Sequence, residues 1–187
     1  MGIRNFMLQI EGYVVASDDD RLADRSGAKP DSLHNDAEWD FFQNGLDSAC
    51  VTALGRKSHE TAPNVKGRRR LVLTRSVERV VMDGKTVFWN PDGISFADAL
   101  RGFDSDVRRV AVAGGKLVFD HFLTGPHRFT AFHLSRIHGV QLPGGVGIFS
   151  GVEDGQTAEE ILTGHGYVAG ASIDLDDRVD VVTWFPG

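Results

Sequence analysis

The sequence predicts an α/β fold: a mixed, mostly parallel central sheet covered by helices, closed by an antiparallel hairpin at the C-terminal end. Three observations carry this. Strand-like and helix-like patterns alternate along the first two thirds of the chain, the last third is mostly strand, and the junctions after Leu54 and Ala113 are built on glycine. Alternation of strand and helix is the signature of parallel strands joined by crossover helices.

Met7–Ser17 reads as the first strand, with Gly12 as a bend or bulge. Ser17–Ser32 is rich in Asp, Ser and Gly and reads as a long mobile loop of the kind that covers a site. A helix follows over Asp36–Leu46. Trp39, Phe42 and Leu46 form its apolar stripe. Phe41 lies off that stripe, which leaves it for a substrate pocket or a dimer contact. Ala49–Leu54 is a short buried strand that runs into Gly55-Arg56-Lys57-Ser58 and a helical turn. Leu71–Leu73 is a strand ending at Thr74-Arg75-Ser76, and Thr86–Trp89 is another. Ser95 caps a helix over Phe96–Leu100, with Asp98 as a capping-box acid.

Val107–Ala113 is the next strand. Gly114-Gly115 follows, then a helix over Lys116–Leu123 in which Val118/Phe122 and Phe119/Leu123 pair at i, i+4. Phe129–Ser135 alternates as a strand, and Leu142–Gly151 is turn-rich. Thr157 and Glu160 form a capping box on a short helix, Thr157–Leu162. Strands Tyr167–Asp174 and Arg178–Phe185 make a hairpin about Leu175–Asp177. With no repeat and no linker, residues 1–187 read as one domain.

The 187 residues are 41% hydrophobic and 25% charged, which fits a folded soluble domain rather than a disordered one. The N-terminal stretch lacks the basic and apolar segments of a secretory signal, and Phe6 replaces the hydroxyl residue of a myristoylation signal. The expectation is a cytoplasmic protein without a membrane partner. A net charge of −6 argues against general nucleic-acid binding. The lone Cys50 sits among apolar neighbours and reads as a small buried hydrophobe.

The glycine pair carries the most chemistry. Two adjacent glycines between strand and helix let the backbone approach a ligand without a Cβ in the way. The first helical turn, Lys116-Leu117-Val118, then aims unpaired N–H groups at the same place, a geometry suited to phosphate. If the strands ending near Gly55, Thr74 and Gly114 are parallel, their ends share one rim, where open α/β sheets bind ligands. Lys66, Arg68, Arg69, Arg70 and Arg75 form a basic cluster that reads either as a solvated loop or as a positive rim converging on the glycine pair. The histidine spacings fit no metal motif, and no G-x-S-x-G nucleophile is present. Gly144–Gly147 lacks the Lys-Ser/Thr ending of a phosphate loop and reads as a structural turn.

The ordered segments IEGYVVAS, GRKSHET, RLVLTRS, VAVAGGKLVFDHFL and LPGGVGIF resemble the dihydrofolate reductase-like superfamily over nearly the whole chain. They are most similar to the reductase domain of the bifunctional riboflavin-biosynthesis deaminase-reductases. The first strand differs, having Gln9-Ile10-Glu11-Gly12 where riboflavin-type members carry Ser-Leu-Asp-Gly. Residues 126–132 likewise replace an Asp-Glu-Leu-like segment. One cysteine cannot supply the zinc-deaminase ligands, which excludes that activity.

The resemblance implies a three-layer α/β/α architecture with helices on both faces of the sheet, and an NADPH-dependent reductase. Gly55, Arg56, Lys57 and Ser58 would lie beside the cofactor phosphates. Thr74, Arg75 and Ser76 would receive the adenosine ribose and its 2′-phosphate. Gly114, Gly115, Lys116, Leu117 and Val118 would bind the pyrophosphate across a cis Gly-Gly bond, and Ala16 would lie near the nicotinamide. In folate reductases an acid on the first helix faces the pterin; the counterparts here are Glu38 and Asp36, and an acid in a first turn also suits the helix dipole alone. The expected substrate is a pterin- or pyrimidinone-like small molecule. The alternative is a nucleotide- or phosphate-binding module without turnover. The unpaired edge of the C-terminal hairpin makes a homodimer a further expectation.

Overall fold

Every residue from Ile10 to Ala16 is buried, which a strand achieves when both faces of its sheet are covered. This strand, β1 (Gln9–Ala16), lies inside a nine-stranded sheet. The structure is a computed structural model that describes residues 7–103 and 106–187, so the myristoylation reading at Phe6 falls outside it. Parallel strands β7 (Arg109–Val112) and β8 (Ala131–Ile137) flank β1. Beyond β7 come β3 (Val51–Gly55), β4 (Arg70–Leu73) and β6 (Thr86–Trp89), all parallel, and then antiparallel β5 (Val80–Asp83). Beyond β8 lie antiparallel β11 (Val179–Pro186) and, at the edge, β10 (Tyr167–Asp174).

Helices cover both faces. Helix α1 (Asp36–Asp47) packs Phe41, Phe42 and Leu46 on the face that carries Tyr13 and Ala111. On the same side His59 of α2 (Arg56–Thr61) meets Phe88 edge-on at 5.4 Å. Helices α3 (Phe96–Leu100), α4 (Lys116–Thr124) and α5 (Ala158–Gly164) bury Phe96, Phe119, Phe122 and Leu162 on the other face, with Ile10 and Val14. None of the helices in the described residues is long and apolar enough to cross a membrane.

Four sequence expectations change. Gly12 is neither bend nor bulge: the ladder runs through it without a break, from Val112 on one side to Phe132 on the other. A Cβ there would lie 2.4 Å from the Phe132 ring, so glycine is needed for close packing. The inner stripe of α1 is Glu38, Phe41, Phe42, Gly45 and Leu46, while Trp39 is 44% exposed. Phe41 packs against Tyr13 at a tilt and against His133 edge-on, at 6.0 and 5.7 Å between ring centroids. Strand β5 pairs with β6 as a hairpin that the sequence reading passed over.

Residues 17–32 are held in place rather than loose. They contain β2 (Arg21–Ala23), which pairs with β9 (Val146–Gly147), and a 3₁₀ turn at Asp31–Leu33. The acidic run does the fastening. Asp18 accepts the Gly139 N–H at 2.8 Å, Asp19 that of Leu142 at 2.9 Å and Asp20 that of Ala158 at 3.0 Å. Asp20 also pairs with Arg136 at 2.8 Å.

Candidate functional site

Strands β1, β3, β4 and β7 are mutually parallel, so Ala16, Gly55, Thr74 and Gly114 all lie at one rim of the sheet. The Gly55 N–H donates to the Gly114 carbonyl at 3.0 Å, which ties the two glycine junctions together. The Gly114-Gly115 peptide bond is cis. Gly114 has φ +101°, a conformation that glycine adopts freely.

Asn35, Ser95 and Thr157 cap α1, α3 and α5 with their side chains. Helices α2 and α4 instead begin at Gly55 and Gly115 with no side-chain cap. A Cβ on Gly115 would meet nothing within 4 Å. Gly115 thus leaves room beside the backbone where α4 begins without a side-chain cap, and an uncapped helix start of this kind suits an anion.

The side chains around it have distinct partners. Lys116 is held by Glu153 at 2.7 Å, Leu117 is exposed, and Val118 is buried against Gly55. This turn thus offers its backbone rather than a free cation. Arg56 lies 3.7 Å from Glu60. Lys57 Nζ reaches the Ser26 carbonyl at 3.4 Å, so the 17–32 segment touches the start of α2. Thr74 is buried; its Oγ1 accepts the Ser76 N–H at 3.1 Å and lies 2.8 Å from the Ser76 hydroxyl. Arg75 projects between them, 86% exposed, with Asp92 3.4 Å away.

The rest of the basic cluster does not reach this rim. Because β4 starts at Arg70, residues before it lie at the amino end of the sheet, roughly 13 Å along the strand from Thr74. Lys66 and Arg68 both pair with Asp47 at 2.5 Å. Arg70 is buried and donates to the Ala62 and His59 carbonyls, at 2.9 and 3.4 Å, which closes the C-terminal end of α2. The positive rim expected from Lys66, Arg68, Arg69, Arg70 and Arg75 is reduced to Arg75, with Arg56 and Lys57 beside it.

The two candidate acids part company. The Asp36 side chain is 99% exposed and sits 3.1 Å from His34. Glu38 is 3% exposed, because it occupies the inward stripe of α1. Burial raises its pKa above the usual carboxyl value, against the pull of Lys29 and His34. Ala16 is wholly buried, and the neighbouring Val15 packs with Leu33, Ile137 and Val179. A cavity of about 450 Å³ opens between Asp24–Ser26 and Gln141–Pro143, and none of the candidate residues lines it.

One polar group was not foreseen as a unit. Glu11 accepts from Tyr13 at 2.8 Å and from Arg109 at 2.6 Å. His133 lies 3.6 Å away, stacked on Tyr13 at 4.5 Å, and its Nδ1 meets the Thr183 hydroxyl at 2.9 Å. Burial pushes the Glu11 pKa up, but the nearby His133 and the hydrogen bonds from Arg109 and Tyr13 outweigh it and hold the carboxyl at about 2. A charge at an inward position of a buried strand was the available signal.

No protein-family model matches the chain, and no curated protein does so at a significant level. Solved structures do. A Thermotoga maritima diaminohydroxyphosphoribosylaminopyrimidine deaminase/5-amino-6-(5-phosphoribosylamino)uracil reductase superposes with TM-score 0.69 at 14% identity. The match covers 97% of this chain, which spans 57% of that one. A putative riboflavin biosynthesis protein from Shewanella sp. PV-4 gives 0.66 at 17% identity, covering 97% and 99% of the two chains. Enterococcus faecalis dihydrofolate reductase, complexed with NADP(H) and RAB-propyl, gives 0.65 at 14% identity, covering 95% of each. The chain has the dihydrofolate reductase-like fold and resembles the riboflavin-type reductases in structure.

Proposed function

We propose that this chain is an NADPH-dependent reductase that transfers a hydride to a pterin- or pyrimidinone-like small molecule, in the cytoplasm, without a nucleic-acid or membrane partner. The observation that carries the reading is the glycine-built junction at the sheet rim. Gly55 and Gly114 are bonded to each other, and α4 opens on uncapped amides with free space at Gly115. The cofactor would supply the hydride, and the protein would supply position and a proton route.

Within this reading the α4 amides hold the diphosphate, with Gly55, Arg56, Lys57 and Ser58 beside it. Arg75, with the hydroxyls of Thr74 and Ser76, receives a 2′-phosphate through charge-assisted hydrogen bonds. Ala16 borders the nicotinamide. Glu38, a sheltered carboxyl that takes up a proton more readily than a free one, is the acid nearest in kind to a proton donor. The fold, which the Enterococcus protein shares in an NADP(H) complex, supports the assignment.

A second reading is a nucleotide-binding module without turnover. The packing of Val15, Leu33, Ile137 and Val179 beside Ala16 favours it, since those side chains fill space next to the position proposed for the nicotinamide. Fluorescence titration with NADPH, NADH and ATP, followed by absorbance at the NADPH band with dihydrofolate or a pyrimidinone added, separates the two. Oxidation of NADPH supports the reductase. Tight binding with no oxidation supports the module, and indifference to all three nucleotides removes both.

A further inference from the structure

The arginine assigned to the 2′-phosphate faces an acid from a neighbouring loop. Strand β6 runs parallel to β4, with Trp89 beside Leu73, so the loop after β6 leaves the sheet at the same end as Thr74-Arg75-Ser76. The Thr74 N–H donates to the Trp89 carbonyl at 2.9 Å. Asp92 lies in that loop, its side chain 74% exposed and its Oδ2 3.4 Å from Arg75 Nε.

Two exposed side chains can meet by chance, but the backbones that carry these two are tied together. Asn90 is the clamp. Its N–H donates to the Arg79 carbonyl at 2.8 Å and its side-chain amide to the Val77 carbonyl at 3.0 Å. Its own carbonyl accepts the Gly93 N–H at 3.0 Å, and its Oδ1 accepts that of Asp92 at 3.1 Å. The indole N–H of buried Trp89 donates to the Ile94 carbonyl at 2.9 Å. A Cβ on Gly93 would lie 2.2 Å from the Glu78 carbonyl oxygen, so the loop packs backbone against backbone on the chain that follows Arg75. Only the main chain of Asp92 enters these bonds, which leaves its carboxylate for the arginine.

A guanidinium holds carboxylate and phosphate through the same N–H donors. A phosphate arriving at Arg75 must displace the Asp92 carboxylate or share one cation with it. A ribose with a free 2′-hydroxyl meets no such competition, and an acid beside the ribose is what dinucleotide sites use to favour the unphosphorylated form. We propose that Asp92 is a specificity-determining residue: its carboxylate is a built-in competitor for Arg75 and lowers the preference of this rim for NADPH over NADH. The inference rests on the reading of Arg75 as the 2′-phosphate ligand and adds the group that opposes it.

Calorimetric titration of NADPH and NADH into the wild-type chain, Asp92→Asn, Arg75→Ala and the double variant tests this. Asp92→Asn should tighten NADPH about twofold to fivefold, the scale of an exposed ion pair, and should bring no gain for NADH. In the Arg75→Ala background the same substitution should leave NADPH affinity unchanged, because the contested cation is gone. An Asp92→Asn variant that binds NADPH no better, one that gains equally for NADH, or a full gain that persists without Arg75 would overturn the role of Asp92 and leave the dinucleotide reading standing. A wild-type chain that binds neither nucleotide would overturn that reading, and this inference with it.

Discussion

Glu38 shows how one residue acquires chemistry from its place on a helix. It shares the inner stripe of α1 with Phe41, Phe42, Gly45 and Leu46, and burial raises its pKa. A carboxyl whose folded pKa lies above its unfolded value destabilises the fold once pH climbs through that interval. Glu38→Gln should therefore match the wild type at about pH 4 and exceed it at about pH 8 in urea unfolding. Under the reductase reading, the same variant should lose about a hundredfold or more in turnover, because general acid groups contribute on that scale. Glu11 has the opposite sign. Its carboxyl is held at about 2 against a reference of 4.5, so its stabilising contribution is complete above 4.5 and is lost as pH falls toward 2. Glu11→Gln should cost roughly 2 kcal/mol at neutral pH, leaving Arg109 and His133 short of a buried partner, and should flatten acid unfolding in that interval.

The elements that position the rim follow from glycine, but for two different reasons that substitution can separate. Gly12 lies in the middle of β1, where the Phe132 ring leaves no room for a Cβ, and Gly12→Ala should destabilise by about 1–3 kcal/mol through overpacking. Gly115 opens α4 where nothing lies within 4 Å, so Gly115→Ala should fold while weakening nucleotide binding. Thermal unfolding paired with NADPH titration checks both, and a Gly115→Ala variant that binds as the wild type does would empty the pyrophosphate assignment. These contrasts also mark what was legible in sequence. Alternation and capping residues placed α3, β6 and β10 at their observed bounds, and the Thr157/Glu160 box fixed the start of α5. The acidic run at residues 18–20 was opaque, because its partners Gly139, Leu142, Ala158 and Arg136 are more than a hundred residues away. Trp39 was misassigned because hydrophobicity outvoted a buried carboxylate one residue earlier, and the basic cluster because three of its members precede β4 and Arg70 opens it, so that the length of the strand separates all four from Arg75.

At the scale of the molecule, the sheet gathers sequence-distant loops onto one rim: Ala16, Gly55, Thr74 and Gly114 arrive there because four strands run the same way. A ligand that bridges those loops stabilises the folded chain as a whole, by RT ln(1 + [L]/Kd) when it binds only the native state. NADPH at about a hundred times its Kd should add about 2.7 kcal/mol and raise the unfolding midpoint accordingly. Under the reductase reading, the 2′-phosphate share of that effect would rest on Arg75, which is exposed and only loosely engaged with Asp92 at 3.4 Å. Arg75→Ala should thus leave the apo midpoint unchanged, bring the NADPH shift down to that of NADH, and weaken NADPH about tenfold to a hundredfold, the scale of a lost charge-assisted hydrogen bond. The readout is differential scanning fluorimetry with both nucleotides. Equal losses for NADPH and NADH would move the 2′-phosphate away from Arg75, and no shift with either would detach the dinucleotide from this rim altogether.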